Sequence, residues 1–294
     1  LPFALFTMLE PLPDLQTPFP LSGHAPFEIV IFDCDSTLCA VEGIDELARW
    51  VGKEAEVAEL TRRAMDGELP LEAVYSQRLE LLQPTREHIQ RLARLYQETL
   101  IPDAAAVITA LRQAGREVFI VSGGLAEGVR EFGLWLGLPE ANIHAVEVEY
   151  NQLAGRWWET WKHPGGRNPH ERYLTHAGGP LTMGRGKAEI IRRLRQRQRG
   201  RALLVGDGTS DLEAGEAVEL FVGFGGVVSR ERVRAQAPVF IHVAELAPVL
   251  PLALGRAEVP AAFQDLYVRG LSLIREGQVT FRSGGTRMNT NEHE

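Results

Sequence analysis

At residues 30–39 the sequence reads VIFDCDSTLC. Its apolar part starts one residue earlier, as Ile29-Val30-Ile31-Phe32. A short continuous run of this kind predicts a strand buried on both faces. The run ends in two carboxylates one residue apart, Asp33 and Asp35. Left unpaired they would repel each other, and one would tend to hold a proton. Either something positive sits beside them or one of the two is a working acid. The plain alternative is a strand end with a polar Asp-Ser-Thr turn.

The sequence on either side sets the class. Residues 43–99 carry apolar side chains at helical spacing: Ile44, Leu47, Ala48, Val51; Val57, Leu60, Ala64; Leu71, Val74, Leu79, Leu82; Ile89, Leu92, Leu95, Tyr96. Gly52, Gly67, Pro70 and Pro84 punctuate them, which predicts about four helices. From Pro102 helices and strands alternate. Helices are expected at 103–114, 125–137, 186–199, 229–236 and 243–252, with a short one opening from the GDGTSD turn at 206–211. Strands are expected at 117–121, 202–205, 220–222 and 239–241, with a strand pair at 143–150 and 153–160. Such alternation predicts an α/β protein with a Rossmann-like parallel sheet core. The helical block follows the first strand and reads as an inserted cap. The expected organisation is an irregular N-terminal extension (1–26), a core made of 27–41 and 101–252, a helical cap (42–100), and a C-terminal tail (253–294) that is partly disordered.

Composition excludes several classes. A net charge of −8 argues against a general nucleic-acid binder. No apolar run approaches a membrane span. The apolar N-terminus has no Lys or Arg before Arg49, unlike a secretory signal. Its prolines suggest an irregular lead-in, and Met8 is the expected start of translation. The two cysteines, Cys34 and Cys39, lack the spacing of a zinc site or of a structural disulfide, which points to a cytoplasmic protein. In an extended segment Cys34 faces away from Asp33 and Asp35 and reads as core packing.

In open α/β sheets, ligands bind outside the carboxyl ends of the strands. The unusual polar residues fall at three such ends: Asp33 and Asp35; Ser122-Gly123-Gly124; and Gly206-Asp207-Gly208-Thr209-Ser210-Asp211. Lys187 opens the helix leading into the last of these strands. Arg192, Arg193, Arg195, Arg197 and Arg199 on that helix read as its solvated face, opposite Ile190, Ile191 and Leu194. Four aspartates in one cleft call for a cation, and oxygen ligands suit Mg²⁺. Ser122, the neighbouring backbone N–H groups and Lys187 suit a phosphate. A carboxylate can itself attack phosphorus, and a second can protonate the leaving oxygen and then activate water. The set suggests phosphoryl transfer.

These four motifs, in this order, resemble those of the haloacid dehalogenase-like phosphatases. The cap stretch LTRRAMDGELPLEAVYSQRLELLQPT (60–85) and FVGFGGVVSRERV (221–233) are similar to segments of the phosphoserine phosphatases within that family. The resemblance covers residues 27 to 249 with one gap. It implies that Asp33 is the nucleophile and Asp35 the general acid and base. It implies that Asp33, Asp207 and the Asp35 carbonyl hold Mg²⁺, with Asp211 supporting the metal and the lysine. Ser122, Gly123 and Lys187 would clamp the phosphate, with Ser210 near the substrate. Glu42 and Arg78 would read the ammonium and carboxylate of the amino acid, beside an apolar wall at Met65. The pairing of charges fits phosphoserine on physical grounds too, since a guanidinium binds a carboxylate bidentately. The plainer readings are a helix N-terminal charge for Glu42 and a surface partner of Glu72, Glu80 or Glu87 for Arg78.

The implied activity is Mg²⁺-dependent hydrolysis of O-phospho-L-serine in serine biosynthesis, with a small phosphate ester as partner and neither nucleic acid nor membrane. The rivals are a phosphatase or phosphotransferase acting on another small phosphate ester and a non-catalytic phospho-amino-acid sensor. Residues 157–180 look like an enlarged loop, with Trp157, Trp158, Trp161, His163, His170 and His176. A flap at the site's mouth, or a contact in a homodimer, is expected there rather than a metal site. Asp66 stands where the family more often has glycine, and Val227 where it more often has Asn.

Overall fold

The computed structural model describes residues 25–65, 69, 71–153, 157–162, 168–255 and 257–282. Strand β1 (Ile29–Phe32) is followed by four helices, α1 (Gly43–Val51), α2 (Glu54–Met65), α3 (Leu71–Leu82) and α4 (Arg86–Glu98). The chain then runs through α5 (Ala104–Gln113), β2 (Glu117–Leu125), α6 (Ala126–Trp135), β3 (Ile143–Val146), β4 (Val148–Asn151) and β5 (Arg172–His176). It continues through α7 (Gly186–Arg197), β6 (Ala202–Gly206), α8 (Thr209–Ala214), β7 (Leu220–Phe224), α9 (Glu231–Gln236) and β8 (Val239–Ile241). The last elements are α10 (Val249–Leu254), α11 (Gln264–Arg275) and β9 (Val279–Phe281). Seven strands form one sheet in the order β3-β2-β1-β6-β7-β8-β9. All its pairings are parallel except β8 with β9.

The two-residue period of a strand sends alternate side chains to opposite faces. Val30 and Phe32 of β1, Val118 and Ile120 of β2, and Leu203 and Val205 of β6 enter one core layer, against α5, α6 and α10. Ile29, Ile31, Phe119, Val121, Ala202 and Leu204 enter the other, against α7. Both faces are covered, which is why these strands read as unbroken apolar runs. A third cluster joins Leu47, Val57, Leu79, Leu82 and Ile89 of the four helices to Leu125, Tyr150 and Tyr173.

The structure departs from expectation in three places. The strand pair lies at β4 and β5, not at 143–150 and 153–160; residues 157–162 form a 3₁₀ helix. The helix expected over 243–252 starts only at Val249. The core does not stop at 252. Helix α11 packs Leu271, Leu273 and Ile274 inward, and β9 pairs with β8 along the sheet edge. The extension 1–24 and the end 283–294 lie outside the described residues. No helix among the described residues is long and apolar enough to cross a membrane.

Candidate active site

Asp33 stands where β1 ends, its N–H bonded to the Val205 carbonyl at 2.9 Å. This ties the loop after β1 to the end of β6, beside Gly206 and Asp207. The turn that follows needs Ser36 at φ +53°, a left-handed conformation that a non-glycine residue adopts at a cost of about 1 kcal/mol or more. It brings Thr37 Oγ1 to Asp207 Oδ1 at 3.2 Å. At the β6 end, Gly206 admits Asp211, for a Cβ there would stand 2.2 Å from the Asp211 Cγ.

Lys187, at the start of α7, is buried with its Nζ 2.8 Å from Asp33 Oδ2 and 2.7 Å from Asp211 Oδ1. Asp211 Oδ2 accepts from the Gly208 N–H at 3.0 Å. Both Asp211 oxygens are thus engaged by protein donors. One oxygen each from Asp33, Asp207 and Asp211 lie within 4.8 Å of one another, a spacing that could hold a metal ion. Burial, then the charge of Asp33, pushes Asp35 up from its ordinary 3.8 to about 7, Asp207 to about 7 and Asp211 to about 8. Burial also raises Glu42 to about 7. Lys187 is held up by Asp211 and Asp33 against the opposing effect of burial. The cluster therefore carries more acid than its cations balance, and an oxygen-seeking divalent ion fits that donor set.

Asp33, Asp35, Lys187 and Asp207 line a cavity of about 270 Å³ between the sheet and helices α1, α3 and α4, with Glu42, Arg78, Ser122, Gly123 and Ser210 also in its wall; Asp211 is fully buried and is not part of the lining. Ser122 Oγ accepts from the Gly124 N–H at 3.0 Å. The pairing of β2 with β3 is irregular between Val121 and Leu125, and the Ser-Gly-Gly segment lies in that irregularity. The Glu42 side chain makes no cap bond at α1. Its Oε1 accepts from Ser36 Oγ at 2.9 Å and pairs with Arg230 at 2.6 Å. Arg78 does not sit as a free surface residue. It donates to Thr61 Oγ1, and its buried Nε has no partner among the described residues. The Met65 side chain lies outside the described residues, as do Asp66 and His163.

Three contributors escaped the sequence reading. Arg230 bridges Asp207 Oδ2, at 3.0 Å, to Glu42. Tyr96 of α4 donates to Asp35 Oδ1 at 2.9 Å, and Tyr75 of α3 to the Gly123 carbonyl at 3.0 Å. The signal for Arg230 was its place in the 221–233 stretch; Tyr96 read as an apolar helix position, and Tyr75 lay unremarked within the 60–85 stretch. In the enlarged loop, His176 stacks edge-on to Tyr75 at 5.2 Å and bonds the Tyr173 hydroxyl. His170 is exposed, as are Trp157, Trp158 and Trp161, while Leu181, Thr182 and Met183 line the cavity. No metal cluster includes these histidines among the described residues.

A family model described as haloacid dehalogenase-like hydrolase matches residues 27–219. The chain belongs to the haloacid dehalogenase-like hydrolases. Within that family, the phosphoserine phosphatase of Mus musculus is 34% identical over 218 residues, which cover 73% of this chain and 88% of that one. A solved structure of a phospho-aspartyl intermediate analogue of phosphoserine phosphatase aligns with a TM-score of 0.61 over 77% of this chain and 99% of that one. At 24% identity that likeness speaks for the fold alone. The structure of DsGPDH of Dunaliella salina aligns at TM-score 0.58 and 28% identity, over 74% of this hydrolase and 34% of that chain.

Proposed function

We propose that this hydrolase is a Mg²⁺-dependent phosphoserine phosphatase, converting O-phospho-L-serine and water to L-serine and phosphate in serine biosynthesis in the cytoplasm. The observation that carries the reading is the placing of two kinds of group across one small cavity. Asp33, Asp35, Ser122 and Lys187 stand at the sheet end, and Arg78 with Glu42 on the side of the inserted helices. The similarity to the mouse phosphoserine phosphatase supports the same substrate.

In this reading Asp33, Asp207 and the Asp35 carbonyl would hold Mg²⁺, which would offset charge on the phosphate and the carboxylates. Lys187 and the Ser122–Gly123 segment clamp the phosphate, with Ser210 beside it. Arg78 takes the substrate carboxylate and Glu42 its ammonium. The apolar wall is assigned to Met65 by the family resemblance alone. An Asp33 oxygen attacks phosphorus, the P–O bond to the seryl oxygen breaks, and Asp35 gives that oxygen a proton. Asp35 then takes a proton from water as the water oxygen attacks phosphorus and the P–O bond to Asp33 breaks. The cap of residues 42–100 keeps bulk water from the phosphoenzyme.

The test is phosphate release from phosphoserine with Mg²⁺ by wild type and Asp33→Asn. Wild type is expected to turn over and to yield an acid-stable adduct one phosphoryl group heavier on the peptide holding Asp33. Asp33→Asn is expected to lose activity at least 10³-fold, by order of magnitude for an essential nucleophile. Comparable activity in both proteins would refute the mechanism.

A further inference from the structure

Asp35 is held by two donors on the same oxygen. Its Oδ1 accepts from the Gly43 N–H at 2.7 Å and from the Tyr96 hydroxyl at 2.9 Å. No donor reaches Oδ2 among the described residues, and Oδ2 lies beside Gly124, where a Cβ would stand 3.1 Å from it. Tyr96 is fully buried on the inner face of α4, with its ring 5.6 Å from that of Phe132. Phenylalanine would fill that ring site equally well, so packing does not account for the hydroxyl. A buried phenol must find an acceptor, and here the acceptor is Asp35. The backbone makes room for it: a Cβ at residue 43 would stand 2.4 Å from the Tyr96 oxygen, so glycine there lets the hydroxyl and the Gly43 N–H converge on Oδ1.

We propose that Tyr96 is a positioning residue that locks the Asp35 carboxyl so that Oδ2 is the oxygen that exchanges protons with the leaving group and with water. The inference rests on the phosphatase reading given above. With Oδ1 saturated by two donors, the transferable proton is carried on Oδ2, on the side of the Ser122–Gly124 segment. As Asp33 attacks phosphorus, that proton passes to the seryl oxygen whose bond to phosphorus is breaking. Oδ2 is then bare to take a proton from the attacking water. Without the hydroxyl the carboxyl can rotate, and geometry at the proton-transfer step is lost while substrate binding is kept. Tyr96 comes from α4, which is fastened to the core through Arg86 to Glu127 of α6, whereas Arg78 lies on α3.

The experiment compares Tyr96→Phe with wild type on phosphoserine and on acetyl phosphate, in Mg²⁺. The seryl oxygen is a poor leaving group and needs the proton; acetate does not. Because kcat/KM reports the steps up to transfer of the phosphoryl group to Asp33, it isolates the acid. For phosphoserine, kcat/KM is expected to fall about 10–100-fold with KM changed less than about twofold, on the scale of general acid catalysis. For acetyl phosphate, kcat/KM is expected to stay within about twofold, which also certifies the fold. Equal losses on both substrates would make Tyr96 merely structural, and no loss on either would make its hydroxyl idle; both overturn the proposal. If wild type cleaves acetyl phosphate and another alkyl phosphate but not phosphoserine, the substrate reading fails. The same comparison on that ester then decides Tyr96. Failure of wild type on every phosphate would overturn the phosphatase reading and this proposal with it.

Discussion

Among the described residues, Arg78 holds a charged donor, its Nε–H, without a partner inside the cavity wall. Leaving such a group unmatched costs roughly 1–3 kcal/mol or more, which is the mark of a site that waits for a ligand. In the proposed complex the substrate carboxylate takes it. Arg78→Ala is therefore expected to raise KM for phosphoserine about 10–100-fold, the equivalent of one charge-assisted contact at about 1.4 kcal/mol per factor of ten. Phosphoethanolamine, which lacks the carboxylate, should lose less than about threefold; steady-state kinetics on both esters checks this, and equal losses would assign Arg78 to cap structure alone. Asp33, Asp35, Ser122, Lys187 and Asp207 were legible beforehand because each stands beside a strand end or helix start, where residue type and spacing speak together. Arg230 was not, being one of three alternating arginines, Arg230, Arg232 and Arg234, in and just before α9. Tyr96 was counted in the apolar stripe of α4, where its ring belongs; periodicity does not register a hydroxyl.

Of the four helices inserted after β1, α4 is fastened to the core by a buried arginine. Its first residue, Arg86, is buried and reaches Glu127 of α6 and, at 2.8 Å, Glu171 just before β5, with its guanidinium 4.0 Å over the Tyr150 ring. Thr85 caps the helix through the His88 N–H. Removing one partner of a buried ion pair leaves the other charge unmatched, at about 3–5 kcal/mol. Arg86→Ala is expected to lower unfolding stability by about that much in urea titrations, and a change below about 1 kcal/mol would contradict the anchoring role. The four helices after β1 could be seen in sequence because members such as α4 bury regular stripes, here Ile89, Leu92, Ala93 and Tyr96. The β4–β5 pair could not. Its strands are four and five residues long, lie about twenty residues apart and each bury a single tyrosine, Tyr150 and Tyr173. What makes them strands is pairing with each other, a long-range contact with no local trace.

At the scale of the whole molecule, the same cleft that holds the chemistry weakens the metal-free protein. Asp35, Asp207, Asp211 and Glu42 are all raised to about 7 or 8 from ordinary values of 3.8 or 4.5. Between about pH 4 and pH 8 the folded state therefore binds more protons than the unfolded one. Their contribution is full below about pH 4 and is lost as pH rises through 7 to 8. Melting in EDTA should show the midpoint falling from pH 5 to pH 8, and added Mg²⁺ should raise it more at pH 8 than at pH 5; a flat profile without a Mg²⁺ effect would contradict the charge argument. That β1, β2, β6, β7 and β8 form a parallel sheet was legible from alternating runs; their order came only with the structure. The closing edge was not, because β9 is three residues long and antiparallel, and its place follows from α11 folding back rather than from its own pattern. The most direct measurement is phosphate release by wild type with Mg²⁺ on phosphoserine, phosphoethanolamine and 3-phosphoglycerate. The second lacks the carboxylate assigned to Arg78, and the third lacks the ammonium assigned to Glu42. Phosphoserine is expected to be preferred by at least about tenfold over each. Comparable turnover of all three, or none of phosphoserine, would contradict it.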